Sequence, residues 1–190
     1  LRIGQRLHAP SEGARMNLDD VIRKVPDFPK PGILFYDITS IFTHPAAFAY
    51  VTEQMVDYYK DIPVDGVVAI ESRGFLVAGA FCNRIGKPLA LARKKGKLPG
   101  KTLSQSYALE YGEATLEMHD ADIVPGHRYL IVDDLVATGG TIQAVAAMLA
   151  RKNALVAGAF SIIGLPFLPY KSRLASIDVK TLIEYHGESV

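Results

Sequence analysis

Val132–Thr141 reads VDDLVATGGT, and the fold can be read outward from it. Before it stands Tyr129-Leu130-Ile131-Val132, an apolar run of strand length, and after it Ile142–Leu149 carries small and apolar residues in a helical pattern. Strand, two carboxylates, a turn of Gly and Thr, then a helix start: this order builds an anion site. The N–H groups of Thr138, Gly139, Gly140 and Thr141 can converge on phosphate oxygens, and the helix dipole favours the negative charge. Gly139 and Gly140 admit backbone angles that a Cβ forbids and let the anion approach closely. Asp133 and Asp134, at the carboxyl end of the strand, are placed to accept hydrogen bonds from the vicinal hydroxyls of a sugar. The turn is neither a P-loop, since the Gly-Lys-Ser/Thr ending is missing, nor GxGxxG. A helix N-cap beside two solvated acids explains any one of these residues; it does not explain ten in this order.

Further out, strand patterns alternate with helical ones. Gly66–Ile70 reads as a buried strand, Val77–Ile85 as a helix with a small-residue face, Leu89–Ala92 as a strand and Ala114–Met118 as another. Thr141–Lys152 is a helix, Val156–Gly164 a strand and Val179–Tyr185 a last strand. Upstream, Ala46–Lys60 spaces Phe48, Val51, Met55, Val56 and Tyr59 helically after a His-Pro pair, and Ile33–Ile38 is extended. Residues 17–25 are expected to form a short amphipathic helix ended by Pro26, and 94–113, dense in Lys and Gly, a long mobile loop or hairpin. The alternation predicts an α/β domain with a mainly parallel central sheet flanked by helices. Ligands then bind beyond the carboxyl ends of the strands, where Glu71–Phe75 (ESRGF) also falls.

Composition bounds the partners. The 190 residues carry 21 Lys plus Arg against 20 Asp plus Glu, so no global field invites nucleic acid or an anionic membrane. The single cysteine, Cys82, excludes an internal disulfide and lies among small apolar neighbours, as a buried structural thiol does. The five histidines are scattered without zinc-ligand spacing, and no apolar run reaches membrane length. Residues 1–15 are read as a flexible extension and 16–190 as a single domain of a soluble, cytoplasmic protein.

Three further clusters have two local readings each. Ser72-Arg73-Gly74 is an ordinary turn with a surface Arg, or a phosphate-holding turn with a forked guanidinium. Arg93-Lys94-Lys95-Gly96-Lys97 is a solvated face, or a set of cations poised over a polyanion. Phe35, within Ile33–Asp37, is a core ring or a platform for a base.

Val132–Thr141 resembles the 5-phosphoribosyl-1-pyrophosphate (PRPP) loop of the type I phosphoribosyltransferases. Phe28–Thr39 (FPKPGILFYDIT), ESRGF, Arg93–Gly100 (RKKGKLPG) and Ser106–Gly112 (SYALEYG) follow in the family's order and narrow the resemblance to its adenine-specific members. The resemblance implies the type I fold, with a small hood from the N-terminal segment and a long mobile loop, and a homodimer. It implies purine salvage: transfer of the 5-phosphoribosyl group from PRPP to adenine, giving AMP and pyrophosphate. Mg²⁺ is then the cofactor, carried by PRPP or pyrophosphate with no direct protein ligand.

By the same resemblance, Asp133, Asp134, Ala137, Thr138, Gly139, Gly140 and Thr141 hold PRPP or AMP. Ser72, Arg73, Gly74, Arg93, Lys94 and Lys97 hold pyrophosphate, with a strained peptide beside Ser72. Leu34, Phe35 and Tyr36 form the adenine pocket; where many relatives carry Arg, this chain has Tyr36, so a contact there falls to its backbone. Tyr107 and Tyr111 belong to the closing loop, and Glu110 relays the proton. Enzymes for 6-oxopurines commonly have Asp at the position of Ala137, which can neither donate nor accept. Two rivals remain at this stage: transfer to another purine, and a PRPP- or nucleotide-sensing regulator on the same fold. The balanced charge and the short N-terminal segment speak against a nucleic-acid-binding regulator.

Overall fold

The structure, a computed structural model, describes residues 16–108 and 112–187. Its centre is a sheet built around the buried strand β3 (Gly66–Ile70), to which the hairpin β1 (Arg23–Pro26) and β2 (Leu34–Asp37) forms a separate antiparallel annex. Along the chain follow α1 (Thr39–Phe42), α2 (Pro45–Tyr59), β3, α3 (Gly74–Ile85), β4 (Leu89–Lys94), β5 (Thr102–Ala108) and β6 (Glu113–His119). Then come β7 (Arg128–Val132), β8 (Leu135–Val136), α4 (Gly140–Arg151), β9 (Leu155–Gly164), α5 (Tyr170–Arg173) and β10 (Val179–Glu184). The order across the sheet is β10-β9-β7-β3-β4-β6-β5, with β8 against β9. Strands from β10 to β4 run parallel, while β6 and β5 are antiparallel additions at one edge. This is the expected α/β sheet with its N-terminal hood.

Each face of the sheet has its own core, because side chains alternate along a strand. Val67 and Ala69 with Leu130 and Val132 face α2, α3 and the hood segment. Val68 and Ile70 with Tyr129 and Ile131 face α4 and the β5–β6 hairpin. In α2, Ala47, Val51, Met55 and Tyr59 recur every fourth residue and are all buried. Its N-terminus is capped by His44, whose Nδ1 accepts the Ala47 N–H at 3.2 Å, with Pro45 in the first turn. Cys82 is buried, and burial alone pushes its thiol up to about 11, so it stays an inert thiol at neutral pH.

The structure corrects the expected helix over residues 17–25. Only Leu18–Asp20 turns, as a single 3₁₀ turn in which Asn17 accepts the Asp19 N–H, and Arg23–Pro26 is a strand. Nine residues are too few to sustain a helix alone, and pairing with β2 (Val25 opposite Phe35) wins. The described residues of 94–113 take the hairpin alternative: β5 pairs with β6 from Thr102 opposite His119 to Ala108 opposite Glu113. Among the described residues no helix is long and apolar enough to cross a membrane. The extension at residues 1–15 lies outside the described residues.

Candidate active site

The parallel strands β3, β4 and β7 end on one rim, and each delivers a predicted motif there. β7 ends at Val132, and the next two residues stay tied to β9: Asp133 N–H donates to Phe160 O at 3.0 Å, and Asp134 O accepts the Ile162 N–H at 3.0 Å. Both acids are therefore buried at a fixed height, 6% and 7% exposed. The Asp133 carboxylate folds back on its own loop, accepting the Asp134 N–H at 2.9 Å and the Thr141 hydroxyl at 3.1 Å. Burial, and then the charge of Asp134, pushes its pKa well up. Its work in this arrangement is to hold Thr141 in place.

Gly139 turns the chain into α4 with φ +77°, a left-handed conformation that glycine adopts without penalty. No side chain caps α4, so the N–H groups of its first turn stay available for an anion. Tyr107 of β5 lies over this loop, its Cδ2 3.1 Å from where a Cβ on Gly140 would stand. Burial and then the Asp133 charge raise the Tyr107 pKa.

The second motif abuts the first. Glu71–Gly74 leaves β3 through a cis Glu71–Ser72 peptide, and α3 starts at Gly74, three residues earlier than its periodicity suggests. Gly74 sits against the end of β7: a Cβ there would lie 2.9 Å from Val132 O and 3.2 Å from Asp133 Cα. Arg73 Nε is 2.8 Å from Asp134 Oδ2. The direction is not that of a hydrogen bond, because this buried oxygen has no hydrogen-bond partner among the described residues. Arg73 thus balances the charge of the buried Asp134 carboxylate. Arg73 also lies under the hood, with its Cζ 5.9 Å from the centroid of the Phe35 ring.

The third motif departs in part from expectation. Arg93 pairs with Glu71, Nε to Oε2 at 3.3 Å, and its Nη1 donates to Lys97 O at 3.1 Å. Lys94 and Lys97 are exposed at the rim. The residues alone did not single out Glu71; an acid closing one strand beside an Arg closing the next was the available signal. Burial opposes ionisation of Glu71, but the Lys94 N–H at 2.9 Å and the Arg93 guanidinium outweigh it and hold its pKa below the usual 4.5. A lowered folded-state pKa adds stability above pH 4.5 that is lost as pH falls through the lowered value. Wild type is therefore expected to lose its Tm advantage over Glu71→Gln as the pH drops from 5 toward about 3. A gap in Tm that stays constant over that range in a thermal melt series contradicts the pair.

In the segment expected to form the base pocket, the Tyr36 side chain is taken up by the core. Tyr36 turns away from the rim, is buried, and stacks on Tyr185 with ring centroids 3.7 Å apart. Alternation in β2 causes this: Tyr36 points into the core, so Phe35 points out, where it meets Phe28 edge-on at 5.0 Å. Leu34 is half-buried beside it, and only main-chain groups of Tyr36 can serve a ligand. Ala137, Thr138 and Ser72 take their expected places in the two loops, whereas Glu110 and Tyr111 lie outside the described residues. Among the described residues no group of three or more His, Cys, Asp or Glu could cage a metal.

Known proteins show the same assembly. The phosphoribosyl transferase domain family matches residues 37–176. An adenine phosphoribosyltransferase of Treponema pallidum is 53% identical over 184 residues, 97% of this chain and 96% of its own. The crystal structure of the Thermoanaerobacter pseudethanolicus adenine phosphoribosyltransferase superposes with a TM-score of 0.85 at 39% identity, over 88% of this chain and 98% of its own. That of Saccharomyces cerevisiae, complexed with adenine and an imino-altritol bisphosphate, gives 0.82 at 32% identity, over 87% and 96%. A sheet rim that carries the PRPP-type loop, matched over nearly the whole chain at this identity, makes the chain a member of the phosphoribosyltransferase family, among the adenine phosphoribosyltransferases.

Proposed function

We propose that the protein transfers the 5-phosphoribosyl group from PRPP to adenine, giving AMP and pyrophosphate. The bond between ribose C1′ and pyrophosphate breaks, the bond from C1′ to adenine N9 forms, and N9 gives up its proton. One observation carries the reading. Arg73 reaches Asp134 at 2.8 Å and the Phe35 ring at 5.9 Å, so a sugar held by the acids lies one side chain from a base held by the hood. Holding both reactants at such a distance supplies the proximity that a bimolecular transfer needs. The yeast relative binds adenine together with a bisphosphate, two ligands of the same chemical kinds.

The same proposal carries over the assignments that the resemblance implies. The N–H groups from Thr138 to Thr141, beside Ala137, take the 5′-phosphate, and Asp134, backed by Asp133, takes the ribose hydroxyls. The Ser72–Gly74 turn with Arg73, Lys94 and Lys97 takes the pyrophosphate; Arg93 joins it through its pairing with Glu71. Adenine stacks on Phe35, with its edge read by the backbone of Leu34–Tyr36. Two buried acids, one braced by a guanidinium and one folded on its own loop, do not make a metal cage. By the resemblance, Mg²⁺ would enter as part of the PRPP complex, where it balances phosphate charge. Tyr107 and Tyr111 close the hairpin over the ligands. A cytoplasmic homodimer belongs to the same proposal, as does one domain from residue 16 with 1–15 as an extension.

The test is the purified protein with PRPP and Mg²⁺, challenged in turn with adenine, hypoxanthine, guanine and xanthine. Turnover of adenine alone is expected, and preference for an oxopurine overturns the reading. The two half-sites should also separate by mutation. Phe35→Ala removes the platform, and stacking of this kind is worth about 1–3 kcal/mol. KM for adenine should rise about 5–100-fold on that basis, with KM for PRPP little changed. An equal rise in both constants, measured by varying each substrate, contradicts the division.

A further inference from the structure

The single turn α5 sits against the phosphate loop and is anchored on both sides. Tyr170 is buried, its hydroxyl donates to Glu184 Oε1 at 2.9 Å, and Leu174 packs 3.0 Å from where a Cβ on Gly139 would stand. Arg173 N–H donates to Pro169 O at 3.0 Å, closing the turn. The backbone of Arg173 is thus held in a fixed place beside the N-terminus of α4.

Its side chain turns toward that N-terminus. Nη1 lies 3.3 Å from the position of a Gly140 Cβ, next to the Tyr107 ring and Ala108 O at 3.1 and 3.4 Å from the same point. With Tyr107, Gly140 and Gln143 it lines a cleft of about 450 Å³ between the hairpin and α4. Arg23, Arg73, Arg84 and Arg93 each lie within 4 Å of a carboxylate. The Arg173 guanidinium has no such partner and no hydrogen bond among the described residues.

We propose that Arg173 is a ligand of the 5′-phosphate in PRPP and AMP. The inference rests on the reading that the loop from Thr138 to Thr141 holds that phosphate. The loop itself holds two acids and no cation, and Arg73 is already engaged with Asp134. The Arg173 guanidinium beside Gly140 adds the missing positive charge and offers a fork of parallel donors to oxygens that the main chain leaves open. The short anchored turn keeps the donor preorganised, so little order has to be created on binding.

The experiment compares AMP with adenosine, which differ only in the phosphate. Calorimetry on the intact protein, on Arg173→Gln and on Arg173→Lys reads the effect directly. Arg173→Gln should weaken AMP about 5–20-fold, the range of one exposed charge-assisted hydrogen bond, and leave adenosine unchanged. Arg173→Lys should recover part of the loss, and KM for PRPP should rise in parallel while kcat moves less than about twofold. Equal weakening of AMP and adenosine, or no weakening of AMP, overturns the assignment. So does a fall in kcat with AMP affinity intact, which makes Arg173 a latch on the hairpin at Ala108. If wild type itself binds AMP no better than adenosine, the phosphate-loop reading fails, and this assignment fails with it.

Discussion

Gly74→Ala is expected to cut kcat/KM by about 10²-fold or more, since misplacing reacting groups by about 1 Å costs that much. The added methyl would stand 2.9 Å from Val132 O and 3.2 Å from Asp133 Cα. Both are main-chain atoms at the end of a central strand, and neither can step aside as a flexible side chain would. The turn from Glu71 to Gly74 must then lift off β7, which separates Arg73 from Asp134 and splits the pyrophosphate side of the site from the ribose side. Overpacking of this kind costs about 1–3 kcal/mol, so Tm should also fall by about 3–10 °C in a chain of this size. Gly79→Ala is the control, because a methyl at Gly79, one and a half turns along the same helix, meets nothing within 4 Å. Normal kinetics in Gly74→Ala, or equal damage in both variants, shows that the contact with Val132 does not set the geometry of the rim.

The same contact shows why part of the site was legible in the chain and part was not. The strand, loop and helix around Val132–Thr141 are neighbours in sequence, so the apolar run, the acids and the Gly pair report on one another locally. What links that loop to the rest is nonlocal. Arg73 meets Asp134 across the sheet, Glu71 meets Arg93 from the next strand, and Tyr36 stacks on Tyr185 near the other end of the chain. Nothing in the local pattern of Leu34–Asp37 says which of its alternating side chains faces the base; pairing with β1 decides it. The expected helix at 17–25 failed for the same reason, since β pairing depends on a partner strand and not on local periodicity. The one-turn helices α1 and α5 are too short for any periodicity to reveal.

The proton on adenine N9 sets the second large prediction. Ala137 puts a methyl where oxopurine enzymes commonly have a carboxylate, so the loop lacks its own acid or base at that position. Phe35 has no titratable group, and Tyr36 stacks on Tyr185 in the core. The buried acids are also committed: Asp133 is bonded to Thr141, and Asp134 is paired with Arg73. By the family resemblance the relay falls to Glu110, which in sequence lies between β5 and β6, the hairpin whose Tyr107 packs against Gly140. A carboxylate brought to the purine in a site closed from water can relay that proton. Glu110→Gln keeps the volume and removes the ionisable group, so kcat is expected to fall by about 10²–10⁴-fold with PRPP affinity little changed. Its pH–rate profile should also lose one limb relative to wild type, a signature that mere misplacement of the hairpin does not produce. Turnover at the wild-type rate would remove Glu110 from the chemistry. Loss of PRPP affinity with kcat intact would instead make the hairpin a clamp on the sugar phosphate, acting through position alone.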